Sequence, residues 1–311
     1  MGSSTATGSD GSEVDTSFID GPPLRVTRAV ALAACIATAL ATAGPAAQVG
    51  ISPTPPLTAA AMETFLLEAR IVKERGAGGG VTGSRLVTMT DGTITPDAHV
   101  QTVDISQTVF QAGEHSETNF KDTYRYNIAG YRVARLLGLT TVPMSVKRIV
   151  DGRDASVTWW IDDIAMDEKA RLKARSAGPD PARTGEQVQT MRVFDELIQN
   201  KDRNLGNILW DKQWTLWKID HTRAFRLDKK LLKPERLLRC DRELLQSLRT
   251  LAPESLKEAA GDYLTKYEQE ALLARRDRIV KIYDDRIAKW GEAAVLFTAK
   301  SPVPGGRDKS P

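Results

Sequence analysis

The chain has 311 residues, 41% of them hydrophobic, 27% charged and 6% aromatic, which is enough apolar content for a real core in one large domain or two small ones. Lys plus Arg number 43 against 40 Asp plus Glu, a net charge of +3, and so balanced a surface excludes a dedicated nucleic-acid binder, whose affinity rests on many uncompensated phosphate contacts. The two cysteines, Cys35 and Cys240, exclude a disulfide scaffold and a Cys-rich zinc site, and three scattered histidines (His99, His115, His221) argue against a His-built metal centre.

Residues 1–24 are rich in Gly, Ser, Thr and Asp and carry the composition of a disordered leader. Arg25 and Arg28 then precede an uncharged, alanine-rich run from Ala29 to Ala43 that closes on Ala41-Thr42-Ala43. Two cations, a short apolar stretch and a small-x-small ending read as a secretory signal. A membrane anchor through residues 29–43 is the second reading, although a span needs about 20 apolar residues. The expected location is exported or membrane-anchored; with the run read as a plain Ala-rich helix it is cytoplasmic. Pro45 to Pro56 reads as a linker, so residues 1–58 form a leader, and the ordered chain is expected from about Ala59.

Glu63 to Glu74 mixes a short helix with a strand. A glycine loop follows, Gly76-Ala77-Gly78-Gly79-Gly80-Val81-Thr82-Gly83, then an alternating strand from Ser84 to Thr90 ending at Asp91-Gly92. His99 to Ile105 is a third strand, and Asp122 to Leu137 a helix with Tyr126, Ala129, Val133 and Leu136 on one face and Gly138 closing it. Val142 to Val150 and Ser156 to Ile161 make a hairpin around Asp151-Gly152. Together these predict a small five-strand lobe with one inserted helix over residues 59–162. After the break at Gly178 to Pro181, Glu186 to Gln199 is an amphipathic helix, followed by a loop from Asn200 to Asn207 and a hairpin of Ile208 to Asp211 and Thr215 to Ile219. Beyond Pro234 the chain reads as helical to about Ala294, with charged runs such as Arg275-Arg276-Asp277-Arg278 expected on solvated faces. Residues 163–300 thus form a mainly helical second lobe, and 301–311 a polar tail.

The informative stretch is Asn200-Lys201-Asp202-Arg203-Asn204-Leu205-Gly206-Asn207, with Ile219-Asp220-His221 closing the next hairpin. Phosphoryl transfer from a nucleotide needs a carboxylate to orient the acceptor hydroxyl and oxygen ligands for a hard cation. Asp202 suits the first role, and Asn207 with Asp220 the second. The structural alternative gives each a turn: Asp202 as a cap, Asn207 in a left-handed position, Asp220 opening the bend before His221.

The spacing Asp-x4-Asn, with Asp thirteen residues further on, resembles the catalytic and metal-binding loops of the protein-kinase-like superfamily, in wording near the phosphoinositide-kinase, Hip-type toxin-kinase and secretory-pathway-kinase branches. The resemblance implies an α+β, bilobal kinase-like fold that binds ATP and Mg²⁺ between its lobes. It makes Asp202 the catalytic aspartate, Asn207 and Asp220 the metal ligands, and Gly78, Gly79 and Gly80 the cover over the phosphates. Trp159 and Trp160 fall where the interlobe hinge belongs, so Trp160 is a candidate wall of the nucleotide pocket, with core packing the alternative. The partners implied are a nucleotide and an acceptor that is a protein, a lipid or a small molecule.

The sequence also departs from that pattern. The strand lysine that pairs the nucleotide phosphates is replaced by Gln101, and the helix glutamate that holds it by Asn127. Asn-Lys stands before Asp202 where His-Arg is usual, and His221-Thr222 replaces Phe-Gly. Arg85 on the second strand and Lys121 or Arg125 at the helix start are candidate substitutes, with an ordinary surface charge the alternative for each. Two functions follow: a phosphotransferase, or a catalytically inactive pseudokinase acting as a binding module.

Overall fold

The computed structural model describes residues 57–76, 84–112 and 115–299. The signal-like run 29–43, the linker, most of the glycine loop including Gly78–Gly80, and the polar tail lie outside them. Among the described residues no helix is long and apolar enough to cross a membrane.

Helix α1 (Ala59–Glu68) starts where Thr58 Oγ1 accepts from the backbone of Ala61. Strands β1 (Arg70–Gly76), β2 (Ser84–Thr90) and β3 (Asp97–Gln101) follow as an antiparallel run, the β2 turn being held by Asp91 Oδ1, which accepts from Thr93 N and Ile94 N at 2.7 and 2.9 Å. Two further strands, β4 (Asp104–Ala112) and β5 (His115–Thr123), pair only with each other. Helix α2 (Arg125–Leu136) then buries Tyr126, Ala129 and Val133 on the face its period selects, and Gly138 leaves it at φ +73°. Strands β6 (Ser145–Val150) and β7 (Arg153–Trp159) form a tight hairpin whose two turn residues, Asp151 and Gly152, both have positive φ. The sheet order is β1-β2-β3-β7-β6, five antiparallel strands, with α1 and α2 packed on β6 and β7.

The second half opens with β8 (Ile164–Asp167) and α3 (Glu168–Lys173). Helix α4 (Pro181–Ile198) is capped by Asp180, whose carboxylate accepts from Arg183 N, and has Pro at its first position. It buries Met191, Phe194, Leu197 and Ile198. Strands β9 (Ile208–Asp211) and β10 (Leu216–Lys218) pair as expected, and β8 joins them as a third strand that the sequence pattern does not announce. Trp210 packs with Trp214 in a small core of its own, and Trp217 donates to Asp211, so these indoles are structural. Strand β11 (Cys240–Asp241), helices α5 (Arg242–Thr250), α6 (Pro253–Ala260), α7 (Lys266–Trp290) and α8 (Glu292–Val295), and strand β12 (Leu296–Phe297) complete the chain.

Three expectations are corrected. Residues 104–123 form the long β4–β5 hairpin, so Ile105 leaves the third strand and Asp122 precedes the helix; most of the hairpin is exposed, and without a buried face its sequence does not alternate cleanly. The helical stretch beyond Pro234 is interrupted by loops, and β11 pairs in parallel with β12. Arg275 is fully buried in α7 and donates to the carbonyls of Leu197, Arg226 and Asp228. Three backbone acceptors, one from the last turn of α4 and two from the loop after the Asp220 turn, need a donor, and one guanidinium satisfies them all. Burial lowers its pKa to about 10, so it stays charged at neutral pH.

Candidate functional site

Helix α4 ends with Gln199 in the left-handed region, φ 50°, which swings the chain into the 200–207 loop. Asn200, buried, accepts from Asp202 N at 3.1 Å. Asn207 Nδ2 donates to the Asp202 carbonyl at 3.2 Å, so the Asn207 Oδ1 points away from that contact and remains available as a ligand oxygen. Arg203 holds this loop together. Its guanidinium pairs with Asp195 on α4 at 3.1–3.2 Å and donates to the Asn207 carbonyl at 3.0 Å and the Ile219 carbonyl at 2.6 Å. One buried cation therefore ties α4, the loop and the end of β10, and so fixes Asn207 relative to Asp220.

Asp220 itself sits at φ 52°, a conformation few non-glycine residues take and one that Asp tolerates through local hydrogen bonding. Its Oδ1 accepts from Thr222 Oγ1 at 3.0 Å and Thr222 N at 3.4 Å, leaving Oδ2 free of that turn. The next residue, His221, is buried edge-on against Phe194 at 5.9 Å between ring centroids, and burial drives its pKa well below the ordinary value, so the ring is neutral. It can lie so close to α2 because residue 130 is glycine: a Cβ there would stand 3.1 Å from His221 Cγ.

Behind this turn are Gln101 and Asn127, the two residues that the sequence resemblance sets where a Lys–Glu pair is expected. Asn127 Nδ2 donates to Gln101 Oε1 at 2.8 Å and to Ser156 Oγ at 3.3 Å, while Asn127 Oδ1 accepts from His221 N at 2.8 Å. Strand β3, helix α2 and the Asp220 turn are thus joined by neutral hydrogen bonds in a buried place. Two of the three cations named as stand-ins are engaged elsewhere. Arg85 pairs with Glu74 at 2.9 Å and Asp151 at 2.7 Å, and Lys121 with the buried Glu268 at 2.5 Å, while the neighbouring Tyr124 raises the Arg125 pKa.

Asn127, Trp160, Asn207 and Asp220 line one cleft of about 270 Å³ between the five-strand sheet and the helical half. Trp159, His99 and Ser84 share it, the His99 ring being hydrogen-bonded to Ser84. Burial lowers the His99 pKa, and the Asp220 carboxylate opposes that shift. Asp202 is not among these lining residues; it joins them through Asn207, and on its other side Arg223, also outside the lining, brings Nη1 to 3.4 Å from Asp202 Oδ2. Gln101 is buried behind Asn127. Among the described residues no cluster of three or more Asp, Glu, His or Cys could cage a metal. A carboxylate beside an amide oxygen is instead the donor set of a cation that also coordinates phosphate, as Mg²⁺ does.

Sequence patterning assigned no role to Arg203, Arg223 or His99. Arg203 and Arg223 lie inside the informative stretch or just after it, and that position is the signal available for them.

The five-strand antiparallel sheet carries two helices, α1 as well as the expected α2, and with the helical second half it has the fold of the atypical protein-kinase-like structures that it matches. The chain is similar to a Fam20 from hydra solved with sugar, at a TM-score of 0.59 and 12% identity over 77% of this chain and 92% of that one. It is also similar to the Golgi casein kinase, at 0.55 and 14% over 78% and 80%, and to the same kinase with Mn/ADP bound, at 0.55 and 15% over 78% and 79%. No family model matches the sequence, and no curated protein matches it either.

Proposed function

We propose that this protein is an atypical kinase that binds ATP with Mg²⁺ in the cleft between a lobe at residues 59–162 and a lobe at residues 163–300, and transfers the γ-phosphoryl group to a hydroxyl of an acceptor. The observation that carries the reading is the Arg203 brace, which sets the Asp202–Asn207 loop and the Asp220 turn at fixed distance around one cleft. The Mn/ADP complex of a protein with this fold supports nucleotide and divalent-metal use. Asn207 Oδ1 and Asp220 would hold the metal, which when bound neutralises phosphate charge and aligns the terminal phosphates. Asp202 orients the acceptor hydroxyl and takes its proton as the oxygen attacks the γ-phosphorus; the bond to the bridging oxygen breaks, and ADP leaves with that electron pair. Trp160 and Trp159 offer aromatic faces to the base, and Gly78–Gly80 the backbone amides to cover the phosphates. Export through residues 29–43 strains this reading, because ATP is scarce outside the cytoplasm, and an anchor through the same residues that leaves the cleft facing the cytoplasm relieves it.

The test uses the full chain with Mg²⁺ or Mn²⁺ and ATP. Asp202→Asn is expected to fold and bind nucleotide normally but lose transfer to acceptor or to water; full turnover in that variant overturns the mechanism. Asp220→Ala is expected to lose metal-dependent nucleotide binding. A second reading rests on the neutral Gln101–Asn127 pair: a pseudokinase that binds nucleotide or partner without turnover. Wild-type protein that binds ATP yet transfers phosphate to no acceptor and not to water selects it.

A further inference from the structure

The back of the cleft lacks a cation, yet a nucleotide brings three phosphates into it. Arg223, three residues beyond Asp220, stands outside the lining of the cleft but carries its guanidinium beside Asp202. Its Nε donates to Asp122 Oδ2 at 2.9 Å, and its Nη1 lies 3.4 Å from Asp202 Oδ2. The two ends of this guanidinium sit in different surroundings. The Asp122 side chain is 4% exposed and the Asp202 side chain 41%. Asp122 therefore holds the Nε end in a short, buried bond, while the Nη end meets a half-exposed carboxylate at a distance that a better acceptor can win. Phe120, stacked on Phe110 at 4.2 Å, lies beneath the guanidinium at 5.6 Å, so the β4–β5 hairpin supplies both the anchor and the floor. The carboxylates of both Asp202 and Asp220 act on Arg223 electrostatically.

We infer that, resting on the nucleotide reading above, Arg223 is the phosphate-binding cation of this cleft, with Asp122 as the positioning residue that aims it. A guanidinium can keep Asp122 on Nε and still present Nη1 and Nη2 to phosphate oxygens, which an ammonium cannot do in the same geometry. The contact with Asp202 is then the resting position of the free site, exchanged for phosphate when nucleotide enters, and that exchange also releases Asp202 for the acceptor.

The experiment compares AMP and ATP, each with Mn²⁺, by calorimetric titration of the full chain. Arg223→Gln is expected to weaken ATP about tenfold or more while AMP changes less than about twofold, because only ATP carries the terminal phosphates. Arg223→Lys is expected to fall between. Since Arg223→Gln leaves the buried Asp122 without its partner, the double variant Asp122→Asn/Arg223→Gln removes both charges and serves if the single variant unfolds, with the same selective loss expected. An unchanged ATP-to-AMP ratio in these variants, or an equal loss of both ligands, overturns the inference and leaves the nucleotide reading standing. Wild-type protein that binds neither nucleotide overturns the reading and the inference together.

Discussion

At the mouth of the cleft one buried cation does the holding; at its back two neutral amides do. Arg203 ties α4, the 200–207 loop and the end of β10 through a carboxylate and two carbonyls. Asn127 ties β3, β7 and the Asp220 turn through Gln101, Ser156 and His221 N. Both networks satisfy buried polar groups, and both fix backbone. They differ in what remains for a ligand: beside the Arg203 brace Asn207 and Asp220 line the cleft, with Asp202 just outside it against Arg223, whereas the amides behind are spent on each other and carry no charge. Scaffolding geometry can therefore survive where phosphate-pairing charge does not, and the charge has to come from another element if the site works.

The sharpest way to break the comparison is Arg203→Ala. It strands Asp195 and two carbonyls, and a broken buried pair costs about 3–5 kcal/mol. Urea unfolding is expected to show that loss; a stability change below about 1 kcal/mol would mean that the brace is incidental. At the back, Gln101→Lys and Asn127→Glu each bury a lone charge and are expected to destabilise by about 2 kcal/mol or more, whereas the double variant pairs them. A double-mutant cycle read by chemical denaturation should give a favourable coupling of about 1–3 kcal/mol, and strictly additive losses would show that the two positions do not meet as described.

Lys218 sharpens the mouth side. It is buried on β10, bonded to Thr141 Oγ1 at 2.5 Å, and burial lowers its pKa to about 7. The unfolded chain then holds more protons than the folded one between pH 7 and the ordinary lysine pKa of 10.5, so this residue makes stability rise with pH across that window and leaves its penalty in full below it. Wild type is expected to gain on Lys218→Met by at most about 1.4 kcal/mol per pH unit from pH 7 upward. Parallel pH profiles for the two proteins would refute the lowered pKa. Other groups buried with raised pKa values, Cys240 and Tyr283 among them, act oppositely at high pH and cancel in that difference.

The smallest effect is expected at the junction of the two networks. Gly130→Ala should gain helix propensity of about 1 kcal/mol, yet its Cβ would meet His221, which Phe194 keeps from moving. A net loss of about 1 kcal/mol in thermal unfolding is the expected outcome. A gain would show that the His221 turn yields easily.

The candidate 200–222 stretch could be picked out along the chain because its polar residues lie close together in sequence. Asp202, Asn207 and Asp220 lie on one loop and one hairpin, so sequence spacing nearly fixes their separation. The Gln101–Asn127 pair was legible by position, since β3 and α2 are regular elements whose order the resemblance supplies. The β4–β5 hairpin was not, because it has little buried face and so lacks the alternation that marks a half-buried strand. Arg275 was misread for a related reason: its neighbours Arg276, Asp277 and Arg278 make the run look solvated. Yet a helical period from Leu272 through Ile279 to Tyr283 puts Arg275 on the buried face. Arg223 could be seen in the sequence but not understood there, because Asp122 lies 101 residues earlier.

Local backbone chemistry and short spacing set the Asp151-Gly152 turn and keep the candidate residues Asp202, Asn207 and Asp220 on one loop and one hairpin, and these could be read along the chain. Which charges are paired is a matter of the fold. Arg85 and Lys121 were candidates for the cleft, and folding gave each a partner elsewhere. Coulomb energy depends on distance and burial, and for residues far apart along the chain both are properties of the fold.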